Sequence, residues 1–431
     1  MTQHPDFSER VQKSTLPGGL RVVSETIPSM RSLSVGVWIK TGSRDEDERE
    51  AGITHFLEHM LFKGTEKRNF FEIAQTMESV GGYLNAFTSP EHTCYYARCL
   101  DSELERAIDV LSDMVLHSTF PEQEIEKEKK VVLEELKMYR DTPDDYVFEV
   151  FNSMMFAHHP LGRPIIGYEH TVKGFTRDDL ITYRERRYKP ANMVLTVAGN
   201  ATHEEILKLA ERYFSQSSSS FEPVETLPLS HYERQRKQIT RPIEQTHLVM
   251  GRRALSTDHK DRYKLLLINI LLSGGMSSRL HQNIREKYGY CYAIQAFNQS
   301  YADTGMFGVY AGTDTAYVEH LKELIYAELK RLGDEEVPAQ ELTEAKSQLK
   351  GKLLLAQESM SNRMNRLAKS ELYFDRYIGL DELVAHIDAV TAPEIRDFAG
   401  VFFREELFTE TVLMPDENYT PKEEEADVPE S

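Results

Sequence analysis

The order of strand and helix signals along the first half of this chain returns along the second half, so the fold must accommodate two like units. In the first half Ser32 to Ile39 sets Leu33, Val35, Val37 and Ile39 on one side of a strand, because successive strand residues point to opposite faces. A helix signal over Phe70 to Val80 ends at Gly81-Gly82, and strand signals follow at Tyr83 to Thr88 and His92 to Cys99. In the second half Thr246 to Gly251 reads as a strand. Helix signals follow at Asp261 to Leu272 and Ser277 to Lys287, with a stop at Gly289, then strands at Cys291 to Phe297 and Gly305 to Ala311. The two helix stops are 208 positions apart (289 − 81). Each half ends alike. A helix opens at Thr176 or Thr391 with an acid three residues on, and a strand follows at Met193 to Ala198 or Phe408 to Leu413. No sequence identity accompanies the correspondence, so the repeat is one of pattern.

Between the halves, Ser215-Gln216-Ser217-Ser218-Ser219-Ser220, with Pro223 and Pro228 beyond it, has no hydrophobic period and reads as a linker. The expected organisation is a first unit over 1–214, a linker over 215–239 and a second unit over 240–431. Hairpins, helix pairs and a closing strand in each unit imply an α+β fold. Each of the two similar halves is then a mainly antiparallel sheet with helices packed on one face.

Only the first half carries a chemical motif. In His55-Phe56-Leu57-Glu58-His59, three polar side chains interrupt the apolar run of Ile53, Phe56, Leu57, Met60 and Leu61. On a helix all three leave one face. Polar groups there are costly to bury unless paired or bound to a metal. Two imidazoles one turn apart can share a cation, and a carboxylate beside them can take a proton from bound water. The order His-x-x-Glu-His inverts the common zinc-protease motif. At the matching place the second half has Leu265-Leu266-Leu267-Ile268-Asn269-Ile270-Leu271-Leu272. Catalytic zinc takes three protein ligands and keeps one open position. A long helix over Glu122 to Tyr139 offers Glu128 and Glu135, seven apart and on one face, with Glu134 rotated about 100° away. Spacing alone leaves Glu134 and Glu135 both open.

Composition narrows the class. A net charge of −19 argues against nucleic-acid binding. The acidic stretch Glu423 to Asp427 reads as a disordered tail. No apolar run is long enough to span a membrane. The start, Met1 to Asp6, lacks the basic and apolar regions of a secretion signal. Three scattered cysteines, Cys94, Cys99 and Cys291, form no disulfide framework, and the reading is cytoplasmic.

The motif together with Val131-Val132-Leu133-Glu134-Glu135 resembles the pitrilysin-type zinc metallopeptidases, specifically the branch of the mitochondrial processing peptidase β subunit and its bacterial relatives. Glu135 lies 76 residues beyond His59 (135 − 59), which fits that family's third ligand. The resemblance implies a zinc-dependent endopeptidase acting on extended peptides or unfolded segments, with two halves closing around a central peptide chamber. It implies one zinc per chain on His55, His59 and Glu135, a water at the fourth position, Glu58 as general base and Glu128 as support for the site. Gly81-Gly82-Tyr83-Leu84-Asn85-Ala86-Phe87-Thr88 is similar to the family's edge strand, which makes Asn85 and Ala86 substrate-binding positions. Arg285 and Tyr292 match a pair that reaches the bound peptide from the other half. Implied partners are a peptide substrate and a homodimer, with a heterodimer as the family's other arrangement; neither nucleic acid nor membrane is expected. The alternative is a non-catalytic scaffold or partner subunit, the state of relatives that have lost the motif.

Other features read more simply. His158-His159 is expected as a surface pair at a helix end, His92 and His117 as packing or surface residues, and Tyr95-Tyr96 and Phe70-Phe71 as core aromatics. Gly274-Gly275 lacks the phosphate-loop lysine and reads as a tight turn.

Overall fold

Two sheets with the same strand order organise the chain in this computed structural model, which describes residues 10–214, 227–229 and 231–416. The expected linker core, Ser215 to Ser220, and the acidic tail lie outside the described residues. The first sheet contains β1 (Val11–Thr15), β2 (Arg21–Thr26), β3 (Ser32–Ile39), β4 (Tyr83–Thr88), β5 (Thr93–Leu100) and β6 (Met193–Gly199), in the order β1-β2-β6-β3-β5-β4. The second contains β7 (Arg236–Arg241), β8 (Thr246–Ala254), β9 (Cys291–Ser300), β10 (Gly305–Thr313) and β11 (Thr409–Pro415), in the order β7-β11-β8-β10-β9. Without β1 the two orders match strand for strand. Each sheet holds one parallel pair, β2 with β6 and β7 with β11, and its other pairs are antiparallel. The mixed α+β architecture with two similar halves is as expected. β7 begins inside the stretch expected as linker, and β1 and β2 carry no strong alternation in the sequence.

β4 and β9 each end a sheet and pair on one side only. β4 starts and stops where the sequence pattern places it. So does β3, but β3 is buried along almost its whole length, on both faces. Helices of its own half, Leu104–His117 among them, cover one face. The other face is covered by a helix from the second half, Met360–Phe374, whose Met364, Leu367 and Ala368 pack on Val23, Trp38 and Val194. The exchange is reciprocal. Pro143–Met155 of the first half lays Val147, Phe151 and Met155 on Val249, Tyr310 and Leu413 of the second sheet.

Both crossings need a bare backbone at the contact. A Cβ on Gly36 would meet the Met364 sulfur at 2.8 Å, and one on Gly251 would meet the Phe151 ring at 2.9 Å. Each large apolar side chain buried this way is worth about 1.5–3 kcal/mol. Neither sheet has both faces covered without the other half.

Other outcomes differ from expectation for clear reasons. Phe70 and Phe71 are exposed, because their helix turns Ile73 and Met77 inward instead. The helix expected over Ser277 to Lys287 contains a π-helical stretch at His281–Glu286. Thr176 and Thr391 do cap the helices Arg177–Arg187 and Ala392–Phe402, each in a capping box. Among the described residues no helix is long and apolar enough to cross a membrane.

Candidate metal centre

The helix Ile53–Met60 buries Ile53, Phe56, Leu57 and Met60 in the core of the first half. The same periodicity turns His55, Glu58 and His59 away from that core. Glu46 anchors the start of the helix: its carboxylate accepts the Gly52 N–H at 2.8 Å and the Thr54 N–H at 2.9 Å. A carboxylate at a helix N-terminus also complements the helix dipole, although burial pushes the Glu46 carboxyl up to about 8. The Thr54 hydroxyl pairs with the Tyr183 hydroxyl at 2.7 Å.

The helix Glu122–Asp141 packs beside it and brings Glu135 across. His55 Nε2 lies 3.8 Å from Glu135 Oε1, and His59 Nε2 lies 3.6 Å from Glu135 Oε2. Three donors arranged tetrahedrally about 2.1 Å from one zinc ion stand about 3.4 Å apart, so this set fits the ion with small adjustments. Among the described residues, these side chains are the one group of His, Cys, Asp or Glu whose donor atoms all lie within 4.8 Å of one another. Burial holds the His55 imidazole down to about 3, hence neutral and able to donate a lone pair. Its Nδ1 is buried without a hydrogen-bond partner.

His59 is oriented from behind. Its Nδ1 pairs with Glu128 Oε1 at 2.9 Å, which leaves Nε2 as the donor facing Glu135. The other Glu128 oxygen meets the Lys63 ammonium at 2.6 Å. Burial alone would raise the Glu128 carboxyl, but these two hydrogen bonds hold it below the usual carboxylate range. Glu134, the other reading of the sequence, is solvated and paired with Lys137 at 2.7 Å.

Glu58 stands beside the three donors. Burial raises its carboxyl, and the Thr88 hydroxyl donates to Oε2 at 2.5 Å. Thr88 lies on β4, so the edge strand and the motif helix are joined at this carboxylate. His55, Glu58, Ala86 and Thr88 line one cavity of 550 Å³, with Tyr139, Asp145 and Glu149 on its first-half wall and Gln299, Tyr301 and Met306 entering from the second half. Sequence reasoning missed Thr88, although it alternates with Ala86 onto the same face. It also missed Lys63, Asp145 and Glu149, whose places depend on helix packing.

The remaining expectations divide. Ala86 lines the cavity. Asn85 does not: its amide reaches Tyr83 and its side-chain oxygen accepts the Ala86 N–H at 2.8 Å. Arg285 and Tyr292 do not line the cavity either. Arg285 Nε donates to the Tyr292 carbonyl at 2.9 Å and its Nη1 meets His281 at 2.7 Å, while Tyr292 is exposed. Tyr292 stands seven residues before Gln299 on β9 (299 − 292), about 23 Å along an extended strand. His159 is no surface residue. It is buried, its Nδ1 accepts the Leu161 N–H at 3.1 Å, and its Nε2 meets the Leu227 carbonyl at 3.2 Å. His92 is packed, with its ring against Trp38 and Phe87. The three cysteines are buried and free.

Comparison with known proteins agrees with this geometry. The family profile described as insulinase (peptidase family M16) matches residues 21–169, and that of the peptidase M16 inactive domain matches residues 174–349. A Bacillus subtilis protein named as an uncharacterized zinc protease, YmxG, is 39% identical over 92% of this chain and 96% of its own length. An uncharacterized zinc protease of Streptomyces coelicolor is 38% identical over 90% of this chain and 86% of its own. The fold is similar to that of a Helicobacter pylori protease, with a TM-score of 0.87 at 22% identity over 94% of this chain and 99% of that one. A Pseudomonas fluorescens structure described as a peptidase M16 inactive domain superposes with a TM-score of 0.88 at 18% identity, covering 95% of this chain and 100% of that one. With both profiles matched in turn along its length and relatives 38–39% identical over nine-tenths of it, the chain belongs to peptidase family M16.

Proposed function

We propose that this chain is a zinc-dependent endopeptidase that cuts extended peptides or unfolded segments, with one zinc per chain on His55, His59 and Glu135. The observation that carries the reading is the convergence of those three donors with Glu58 beside them, His55 and Glu58 lining the cavity that the edge strand β4 also lines. When bound, zinc supplies Lewis acidity to the scissile carbonyl and lowers the pKa of a water. Glu58 takes the proton of the attacking water on its carboxylate while Thr88 holds Oε2. As the new C–O bond forms and the C–N bond breaks, Glu58 delivers that proton to the leaving amine. A peptide adds to the free edge of β4 as a further strand, with Asn85 and Ala86 as its binding positions. The Asn85 oxygen on the Ala86 N–H gives way as the peptide docks.

Arg285 and Tyr292 stand outside the chain's own cavity. The exposure of Tyr292, with the half-buried Arg285 bonded to its carbonyl, favours a homodimer in which a second copy presents them to the bound peptide. The free cysteines accord with a reducing, cytoplasmic setting.

Digestion of a diverse peptide library, read by mass spectrometry with and without a chelator, tests the proposal. Cleavage should stop in chelator, return with zinc, and be nearly absent in a Glu58→Gln protein that still holds zinc. Chelator-resistant cleavage, or a Glu58→Gln protein as active as the wild type, would overturn it.

A further inference from the structure

A second cavity, of 850 Å³, opens beside the first; Phe87, Pro90, Gln299 and Tyr301 line both. It occupies in the second half the place that the metal cavity holds in the first. Its floor is Leu266 on the helix Arg262–Ser273 and Leu349 and Leu353 on the helix Ala339–Ala356. Those helices stand where the motif helix and the Glu135 helix stand in the first half. The Glu135 helix and its counterpart start 217 positions apart (339 − 122).

The walls keep the same register. The exchanged helix Pro143–Met155 lines the metal cavity with Asp145, Phe148, Glu149 and Asn152. The exchanged helix Met360–Phe374 lines the second cavity with Asn362, Asn365, Arg366 and Lys369, each 217 positions beyond its counterpart (362 − 145). The register is kept and the charge changes: Asp145 corresponds to the neutral Asn362, Glu149 to Arg366 and Asn152 to Lys369. Arg262 adds a third cation to the second cavity. Its one acidic lining residue, Glu91, is already engaged by Arg44, the Ala302 N–H and the Tyr373 hydroxyl.

None of these cations is in an ion pair among the described residues. Arg366 Nη2 donates to the Ile378 carbonyl at 2.5 Å, while its Nη1 is buried without a hydrogen-bond partner. Among the described residues neither Arg366 nor Lys369 has a carboxylate within ion-pair distance. Glu25 acts on the Arg366 guanidinium only at longer range; a guanidinium held partly out of water with no carboxylate in contact is costly, and an incoming carboxylate would offset that cost.

We propose that the second cavity is a peptide subsite for a carboxylate next to an apolar side chain. Arg366 and Lys369 take the carboxylate; Leu266, Leu349 and Leu353 take the apolar group. The carboxylate is either the peptide's C-terminus or a Glu or Asp side chain. The proposal rests on the peptidase reading for the identity of its ligand as a peptide, but the binding it describes needs neither zinc nor turnover.

Binding is therefore read on full-length Glu58→Gln protein in chelator, by fluorescence anisotropy of short dye-labelled apolar peptides. One pair differs only in a C-terminal acid or amide, the other only in an internal Glu or Gln. At least one acid should bind about tenfold tighter than its neutral twin, the scale of one charge-assisted hydrogen bond. A preference confined to the first pair identifies the C-terminal carboxylate as the ligand; one confined to the second pair identifies a side chain. The preference should vanish in Arg366→Gln and in Lys369→Glu. Lys369 is exposed and makes no hydrogen bond or ion pair among the described residues, so Lys369→Glu, with its fold checked by circular dichroism because Lys369 also acts on the His92 imidazole, keeps the test sound where Arg366→Gln disturbs packing against Tyr377. Equal binding within both pairs, no binding of any peptide, or a preference unchanged in Lys369→Glu would overturn the proposal. Loss of hydrolysis in wild-type protein with zinc would count against the peptidase reading alone.

Discussion

The two cavities are built on one plan and filled with opposite chemistry. Both lie under a helix pair, beside an edge strand and against a helix lent by the other half. In the first, Glu135 and Glu128 face the two histidines. At the same register on the counterpart helix, 217 positions on, stand Lys352 and Ala345 (352 − 135). Lys352 turns its ammonium to the Gly274 carbonyl at 2.9 Å. A cation where a ligand carboxylate would sit is incompatible with a metal there. The backbone therefore supplies a cavity twice, and a few side chains decide which copy is able to hold an ion.

The sharpest way to break the contrast is at Glu58, which has no acidic counterpart in the floor of the second cavity. Glu58→Gln should lower turnover about 10²–10⁴-fold with zinc content unchanged, measured by steady-state hydrolysis and elemental analysis. Next comes the junction of the cavities. Glu91, in the turn between β4 and β5, binds Arg44 and reaches the β9–β10 turn through the Ala302 N–H at 3.0 Å. Arg44 in turn forks onto Asp303 with two contacts of 3.0 Å. Glu91→Ala leaves the largely buried Arg44 side chain with Asp303 alone and should cost on the order of 2–3 kcal/mol in urea unfolding. A cost below 1 kcal/mol would show that the two halves do not depend on this latch.

A third prediction concerns pH. Burial, aided by Lys369, holds the His92 imidazole down to about 4 at the wall shared by the halves. The folded state keeps His92 neutral while the unfolded chain protonates it below about 6.5. Stability is thus intact above pH 6.5 and is lost as pH falls towards 4, by up to on the order of 3 kcal/mol from this group. His92→Phe should flatten that part of the pH profile of unfolding; an unchanged slope would assign it elsewhere. The smallest effect is expected at Glu128. Glu128→Gln should weaken zinc binding about 10–100-fold, read by competition with a chromophoric chelator.

The legible parts of this molecule were the local ones. His55 and His59 are one helical turn apart, Glu128 and Glu135 two, and helix geometry alone aligns each pair. β4 was legible because its breakers, Gly81-Gly82 and Ser89-Pro90, bound a short alternating run. Which sheet a helix covers is not local information. Val147, Phe151 and Met155 look like any apolar stripe, and nothing near them names Val249 or Leu413 as their partners. The same holds for Thr88, whose hydroxyl finds Glu58 only once β4 lies beside the motif helix. Arg285 and Tyr292 entered through resemblance, and the length of β9 separates them from their own chain's metal cavity.

The central claim, one ion held by the first half alone, is tested most directly by zinc stoichiometry in a chelator-competition titration of wild-type and Glu135→Ala proteins. The account predicts about one tightly bound zinc per wild-type chain and none in Glu135→Ala with its fold intact by circular dichroism. Two zincs per wild-type chain, or one retained in folded Glu135→Ala, would contradict it.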